Sequence, residues 1–205
     1  MNKCPELNKL KKFYNERYDQ YGHHIKSVGW GSVESQELRF KVLSQIADLS
    51  GKRICDVGCG LGDLYPYLKK CFKNVDYMGI DISEKLIERA RECFPKVQFE
   101  IRDILDGTFK KKFDFVLASG TLSYKMKNHK VFVEAMLKAM MRMSNKGVAV
   151  NFLSSYVDYK LEKNFHFSPE EALALGKTLT PYVTIRHDYP LYEFTMYLYH
   201  APQKG

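Results

Sequence analysis

The sequence predicts an α/β protein, a mostly parallel β-sheet that ends in an antiparallel hairpin and carries helices on both faces. Two observations support this prediction. From about residue 52, short apolar segments alternate with segments whose apolar residues recur at helical spacing, a pattern typical of parallel strands. The last two strand-like segments, 182–187 and 194–199, are joined by a link too short for a crossover helix, so they must run antiparallel.

The remaining elements follow from the same patterns. Further strands are predicted at 53–57, 77–81, 97–101, 113–118 and 147–153. Helices, counted with their caps, are predicted at about 62–72, 83–95, 128–144 and 168–179. Ser83 and Ser168 are expected to cap their helices, because a serine hydroxyl can accept a bond from an unpaired N–H of the first turn. Pro95 is expected to end the helix that Ser83 begins.

Length and composition predict one globular domain with a small appendage. The chain has 205 residues, of which 45% are hydrophobic and 27% charged, and this excludes disordered and collagen-like classes. The longest apolar run is far short of the ~18 residues that span a bilayer. The polar N-terminus shows no signal-peptide core. We therefore expect a cytoplasmic protein that does not bind membranes, and its oligomeric state stays open.

Cysteine usage and net charge give weaker indications. The five cysteines form no C-x-x-C pair, and no histidine stands at zinc-finger spacing, so we expect reduced thiols and no metal site. The net charge is +8 and the lysines are spread along the chain. A solvated basic surface is therefore favoured over a nucleic-acid interface.

The first 50 residues form a segment of their own. Apolar residues at helical spacing predict a first helix, and a second begins near Val33 after a glycine-bearing loop around Trp30. We predict that residues 1–50 form a helical lid and that residues 51–205 form the main domain. Glycines at 29 and 31 are expected to supply the hinge.

A glycine-rich turn between the first strand and the next helix is the most informative segment. Residues 56–63 read Asp-Val-Gly-Cys-Gly-Leu-Gly-Asp. The glycines allow positive φ and let a ligand approach the backbone closely. Asp81 ends the following strand, where a carboxylate can accept hydrogen bonds from both hydroxyls of a ribose. The segment therefore predicts a nucleoside-binding turn.

Two common phosphate-binding turns do not match this segment. In the dinucleotide pattern G-x-G-x-x-G starting at Gly58, the third glycine position is occupied by Asp63, whose carboxylate would repel a pyrophosphate. A P-loop is excluded because no Gly-Lys-Ser or Gly-Lys-Thr follows. The segment therefore matches neither the nicotinamide-dinucleotide fingerprint nor a P-loop.

The arrangement resembles the class I S-adenosylmethionine-dependent methyltransferase family. The matching segments are residues 56–62, 79–81, 102–104 and 113–120, and the resemblance covers about residues 28–200. It implies a Rossmann-like seven-stranded sheet with helices on both faces and S-adenosyl-L-methionine as the cofactor. The closing antiparallel hairpin is also a feature of that family's sheet.

The resemblance implies cofactor-binding roles for residues of the first motif. It implies that Gly58, Cys59 and Gly60 line the adenosine and methionine moieties. Asp56 is implied to accept a hydrogen bond near the methionine amino group.

The later motifs are implied to complete the cofactor site. Asp81 would hold the ribose, while Ile82 would pack on the adenine. Asp103 would meet the adenine amino group and Ile104 the face of its ring. Ser119 would lie beside the methionine arm and the acceptor.

Arg39 and Trp30 each allow two interpretations. The guanidinium of Arg39 matches the methionine carboxylate of the cofactor, but it can equally lie on the polar side of the second helix. Trp30 can cover the cofactor as part of the lid, or it can simply plug the domain. We therefore treat both residues as candidate cofactor contacts.

The acceptor is expected to be a small molecule. The fourth strand is followed by Ser119-Gly120-Thr121-Leu122, which lacks the acid or Asn followed by Pro-Pro-Tyr/Phe that is typical of methylases of exocyclic amines. No separate DNA-recognition domain is present in the sequence. Two alternatives remain. One is a methyltransferase acting on RNA or protein, which the net charge of +8 would favour, and the other is a cofactor-binding protein without methylation activity.

A general base is needed only when the acceptor does not give up its proton at neutral pH. Candidates for this role are His166, His187 and Tyr124, which lie in or after the loops where open α/β sheets present ligands.

Overall fold

The computed structural model describes residues 5–29 and 31–203. Seven strands form one sheet: β1 (Arg53–Val57), β2 (Asp76–Asp81), β3 (Gln98–Ile101), β4 (Phe113–Ala118), β5 (Ser144–Leu153), β6 (Tyr182–Arg186) and β7 (Glu193–Tyr199). Six helices accompany them: α1 (Pro5–Tyr21), α2 (Val33–Ser44), α3 (Leu64–Cys71), α4 (Glu84–Cys93), α5 (His129–Met143) and α6 (Pro169–Leu179).

The strands lie in the order β3-β2-β1-β4-β5-β7-β6. Strands β1 to β5 pair in parallel, and β7 runs antiparallel between β5 and β6. The predicted fold class is thereby confirmed, including the antiparallel hairpin at the C-terminal end. The strand order reverses between β1 and β4, and in open α/β sheets ligands bind at the carboxyl ends of the strands beside such a reversal.

Helix caps explain where several elements begin. The Ser83 hydroxyl accepts from the Leu86 N–H at 3.2 Å, and the Ser168 hydroxyl accepts from the Glu171 N–H at 3.1 Å. Both predicted caps are confirmed. Helix α3 begins at Leu64, two residues later than predicted, because Gly62 has a φ of 82° and continues the turn instead.

The core fills both faces of the sheet. On one face, α5 packs on the centre of the sheet through residues such as Leu137 and Met140, which are fully buried. On the other face, α2, α3 and α4 bury Leu43, Leu68 and Ile87 against the same strands. With both faces covered, the carboxyl edge of the strands is where a ligand can reach the backbone.

The N-terminal segment packs onto the main domain through α1 and α4. The Ser83 hydroxyl donates to Asn15 Oδ1 at 2.6 Å, and Lys11 forms an ion pair with Glu84. Leu10 of α1 is 6% exposed. Helix α1 is therefore seated beside the end of β2, above the edge of the sheet.

The described residues contain neither a membrane-spanning helix nor a metal-binding cluster. In residues 5–29 and 31–203, no helix combines the length and the apolar character needed to cross a membrane. Within the same ranges, no three His, Cys, Asp or Glu side chains cluster as metal ligands would.

Candidate cofactor and acceptor sites

The glycine turn after β1 has a backbone that only glycines adopt without strain. Gly58 and Gly60 have φ angles of 71° and 55°, in the left-handed region. A Cβ atom at Gly58 would lie 2.4 Å from Thr121 Oγ1, and one at Gly60 would lie 2.7 Å from Val28 Cγ1. The turn is thus enclosed by the loop after β4 on one side and by the N-terminal segment on the other.

Asp81 ends β2 and holds the glycine turn in place. Its Oδ2 accepts the Gly60 N–H at 2.9 Å, and its Oδ1 accepts the Ser83 N–H at 2.9 Å. Burial raises the pKa of this carboxyl, and the two backbone N–H groups oppose that rise. An ionised carboxylate has about four acceptor sites, so Asp81 can still receive hydroxyl groups from a ligand.

Asp56 lies at the end of β1 and is 2% exposed. Burial raises its pKa to about 7, although the Tyr77 hydroxyl, which donates to Asp56 Oδ2 at 2.7 Å, acts in the opposite direction. Asp81 and Asp63 raise the pKa further, because each adds negative charge nearby. A bound cation or ammonium group would favour the ionised form of Asp56.

These residues open into a cleft at the carboxyl ends of β1, β2 and β4. Its empty volume is about 970 Å³, including the part open to solvent. Nine residues predicted as cofactor contacts line it: Asp56, Gly58, Cys59, Gly60, Asp81, Ile82, Asp103, Ile104 and Ser119. The Asp103 side chain accepts the Leu105 N–H at 2.9 Å, which fixes a short 3₁₀ turn at one side of the cleft.

Ser119 and Thr121 mark the β4 side of the cleft. The Thr121 hydroxyl donates to the Val57 carbonyl at 2.9 Å and so ties the loop after β4 to β1. The Ser119 hydroxyl is buried and makes no hydrogen bond to any described residue. Since a buried polar atom normally has a partner, the Ser119 hydroxyl is available to a ligand in the cleft.

The N-terminal segment roofs the cleft, and sequence reasoning missed the residues that do so. Leu7, Leu10 and Tyr14 of α1 and Val28 line it. Burial raises the pKa of Tyr14 to about 12, and the negative charge of Asp81 adds to this effect. The signal that could have found them is the helical spacing of the apolar residues in this segment, which was used only to predict the helix.

A second cavity adjoins the cleft, with an empty volume of about 680 Å³ including the part open to solvent. The two share Tyr14, Val28 and Gly120, so they meet at one point. Three cationic side chains, Arg17, Arg39 and Lys163, line the second cavity together with apolar and aromatic side chains such as Phe13, Tyr124 and Leu161. The site thus consists of a cleft and, directly beside it, a cavity lined by three cationic side chains.

Comparison with known proteins agrees with this architecture. A family model described as a methyltransferase domain matches residues 48–195 of the chain. The chain belongs to that family. It is a class I S-adenosylmethionine-dependent methyltransferase.

The relatives of this methyltransferase align with different fractions of its sequence. A Mycobacterium tuberculosis protein provisionally named methyltransferase Rv1506c is 30% identical over 154 residues, which is 70% of this chain and 90% of that one. The magnesium-protoporphyrin O-methyltransferase of Rhodobacter capsulatus is 34% identical over 93 residues, but this match spans only 42% of this chain and 40% of the relative.

A solved structure shows the same fold over the whole chain. The magnesium protoporphyrin IX methyltransferase of Synechocystis PCC 6803, crystallised with bound S-adenosylmethionine, aligns with a TM-score of 0.68. The alignment covers 98% of this chain and all of the other, at 16% sequence identity. At that identity the likeness shows the fold.

The residues present in the cleft fit S-adenosylmethionine. Gly58 and Gly60 keep the turn free of side chains at these two positions, so a ligand can approach its backbone closely. Asp81 has spare acceptor sites for ribose hydroxyls, and the Ser119 hydroxyl lacks a partner among the described residues. The ligand carries no pyrophosphate, so the carboxylate of Asp63 does not oppose it.

Of the two remaining candidate cofactor contacts, the structure describes only Arg39. Arg39 lines the second cavity rather than the cleft, and its Nε lies 2.6 Å from Glu193 Oε2. Trp30 lies outside the described residues. The cofactor-binding roles of both stay predictions, and so does the movement of residues 1–50 as a lid.

Of the three candidate bases, Tyr124 reaches the second cavity. Its ring centroid lies 5.0 Å from that of Phe13. His166 shares a hydrogen bond with the Ser154 carbonyl at 2.8 Å and lines neither cavity. His187 is exposed at the β6–β7 connection, where Asp188 pairs with Arg186 at 2.7 Å instead. The catalytic roles of all three stay predictions.

Proposed function

We propose that this methyltransferase transfers the methyl group of S-adenosylmethionine to a small-molecule acceptor that binds in the second cavity. The observation that carries the proposal is the junction of the cleft and the second cavity at Tyr14, Val28 and Gly120. A donor in the cleft and an acceptor in the cavity would meet at this junction.

The proposal assigns the cofactor to the residues of the cleft. Asp81 accepts the ribose hydroxyls, and the turn from Gly58 to Gly60 contacts the nucleoside through its backbone. Asp103 and Ile104 flank the adenine. When bound, the cofactor supplies an electrophilic methyl group on a sulfonium, so the protein need not activate the donor.

The remaining work of the protein is alignment and exclusion of water. Holding two reactants in line contributes up to ~7–11 kcal/mol to a displacement. Leu7, Leu10 and Tyr14 roof the cleft and keep solvent from the reacting atoms. A cofactor-binding protein without activity would need no acceptor space, and the presence of a second cavity beside the cleft favours the enzyme.

The named relatives support a small acceptor. They include a fatty-acid O-methyltransferase of Mycolicibacterium smegmatis and a trans-aconitate 2-methyltransferase of an Acidovorax strain. An RNA acceptor is the second candidate, because Lys125, Lys127 and Lys163 line an open groove beside the second cavity. This lysine groove would suit a phosphate backbone.

Filling the second cavity tests the proposal. Leu161→Trp places an indole at its rim, and Leu173→Trp on α6 is the matched control at a similarly exposed leucine. With tritiated S-adenosylmethionine and a protein-free small-molecule extract, we expect Leu161→Trp to lose at least tenfold in methyl transfer. Its affinity for S-adenosylhomocysteine should be unchanged, and the control should behave like the wild type. Methylation of ribonuclease-sensitive material, or full activity of Leu161→Trp, would contradict the proposal.

A further inference from the structure

The second cavity carries positive charge that no described carboxylate neutralises. Of its three cations, Arg39 is paired with Glu193. Neither Arg17 nor Lys163 forms an ion pair with a residue of 5–29 or 31–203. A partly enclosed site lined by one sign of charge raises the local concentration of the opposite sign. The cavity therefore attracts an anion.

The two cations converge on one aromatic ring. The Arg17 Cζ lies 5.5 Å and the Lys163 Nζ 6.0 Å from the ring centroid of Phe13. The Arg17 guanidinium is also held by the Lys26 carbonyl. Arg17 and Lys163 both line the cavity, so an anion bound in it would be attracted by both, while its apolar part would contact Phe13, Leu153 and Leu161.

The same cavity has no side chain suited to remove a proton at neutral pH. Among its described lining residues there is no Asp, Glu or His. Tyr14, at the junction with the cleft, has a pKa raised to about 12 by burial, so its phenol keeps its proton. Tyr124 also lines this cavity and carries a phenol, not a carboxylate or an imidazole. An acceptor that must first be deprotonated would find no partner here.

A cavity that has cationic side chains and no general base suits a nucleophile that is already ionised when it binds. Resting on the function proposed above, we propose that the acceptor is a carboxylic acid with an apolar body and that the product is its methyl ester. A carboxylate oxygen uses a lone pair to form the bond to the methyl carbon, and the carbon–sulfur bond breaks with its electron pair returning to sulfur. No proton moves, and the positive sulfonium and negative carboxylate become a neutral thioether and a neutral ester.

Binding to the protein saturated with S-adenosylhomocysteine tests the charge requirement without turnover. The probes are 4-phenylbutyrate, its uncharged isostere 4-phenylbutanamide and phenylphosphonate, measured by calorimetry. We expect the acid to bind at least tenfold more tightly than the amide. Lys163→Met should lower the affinity for the acid about three- to tenfold and leave the affinity for the amide unchanged. Lys160→Met, an exposed lysine of the same loop that lines no described cavity, is the control and should change neither.

Three binding results would overturn the inference. They are equal affinities for acid and amide, no binding of the acid, and phenylphosphonate binding at least tenfold more tightly than the acid. The last result would assign the cavity to a phosphorylated acceptor. Arg17→Met is not used, because Arg17 also holds the Lys26 carbonyl and its loss can disturb the fold.

The chemistry of the product gives a second readout. A methyl ester formed with tritiated donor releases tritiated methanol in mild alkali, whereas N-methyl and ether products do not. Alkali-labile product supports the inference, and alkali-stable product overturns it while leaving methyl transfer to a small molecule intact. Failure of the proposed function looks different, because it gives no methylated small molecule at all.

Discussion

Arg39 Nε lies 2.6 Å from Glu193 Oε2, and this ion pair joins α2 to the first residue of β7. Glu193 is 3% exposed, and burial raises its pKa while the Arg39 guanidinium acts in the opposite direction. The pair anchors the N-terminal segment to the sheet beside the second cavity. Arg39 is thus held by a carboxylate of the protein itself.

Arg39→Ala should destabilise the fold. Removing one partner of a buried ion pair leaves the other charge uncompensated and costs about 3–5 kcal/mol. Urea unfolding measures this change in the free energy of unfolding. The double variant Arg39→Met with Glu193→Gln is the control, because it removes both charges and should recover most of the loss. Equal stability of Arg39→Ala and the wild type would show that the pair is not needed for folding.

Gly58→Ala should lower both stability and cofactor affinity. The new Cβ would stand 2.4 Å from Thr121 Oγ1, at a φ of 71° that costs a non-glycine residue about 1–2 kcal/mol. Adding Thr121→Ala removes the nearest clashing atoms and should restore part of the stability, but not the part due to φ. Thermal unfolding of the single and double variants separates the two causes. No gain from Thr121→Ala would mean that the clash is relieved in another way.

The unfolding free energy should carry a pH-dependent term from Asp56. Its pKa is about 7 when folded and near 3.9 when unfolded, so the folded protein binds the extra proton between these values. Stability from this group therefore falls as pH rises from about 4 to 7, by on the order of 4 kcal/mol in total. Asp56→Asn removes the term and keeps an acceptor for the Tyr77 hydroxyl. The stability of Asp56→Asn relative to the wild type should rise over that range. A difference independent of pH would contradict the raised pKa.

Asp81→Ala should weaken cofactor binding far more than Asp76→Ala. Both residues belong to β2, but Asp76 is exposed at the opposite end of the strand, so it is a matched control. Each lost bond to a charged acceptor costs about 1.5–3 kcal/mol, so S-adenosylhomocysteine affinity should fall at least tenfold. Calorimetry on both variants gives the comparison. An equal loss of affinity in the two variants, or no loss in Asp81→Ala, would show that Asp81 does not bind the ribose.

The sequence predicted the sheet well because its signals are local. The strand at 113–118 was predicted with the bounds that β4 has, since an apolar run beside charged residues leaves little choice. The glycine turn and Asp81 were found for the same reason. Their spacing along the chain is fixed by one strand–turn–helix–strand unit.

The second cavity could not be predicted in this way. Tyr14 and Lys163 are 149 positions apart and come together only because α1 folds over the edge of the sheet. The sequence correctly placed Arg39 on a helix. Its partner Glu193 is 154 positions away, and no local sequence pattern near either residue predicts the ion pair. Long-range packing decides both features.

A crystal structure with bound S-adenosylhomocysteine tests the central claim most directly. The account predicts that the ribose hydroxyls lie within hydrogen-bond distance of Asp81 and that the sulfur faces the junction at Tyr14 and Gly120. The second cavity would then lie in front of the sulfur. A ribose away from Asp81, or a sulfur that faces away from this junction, would contradict the account.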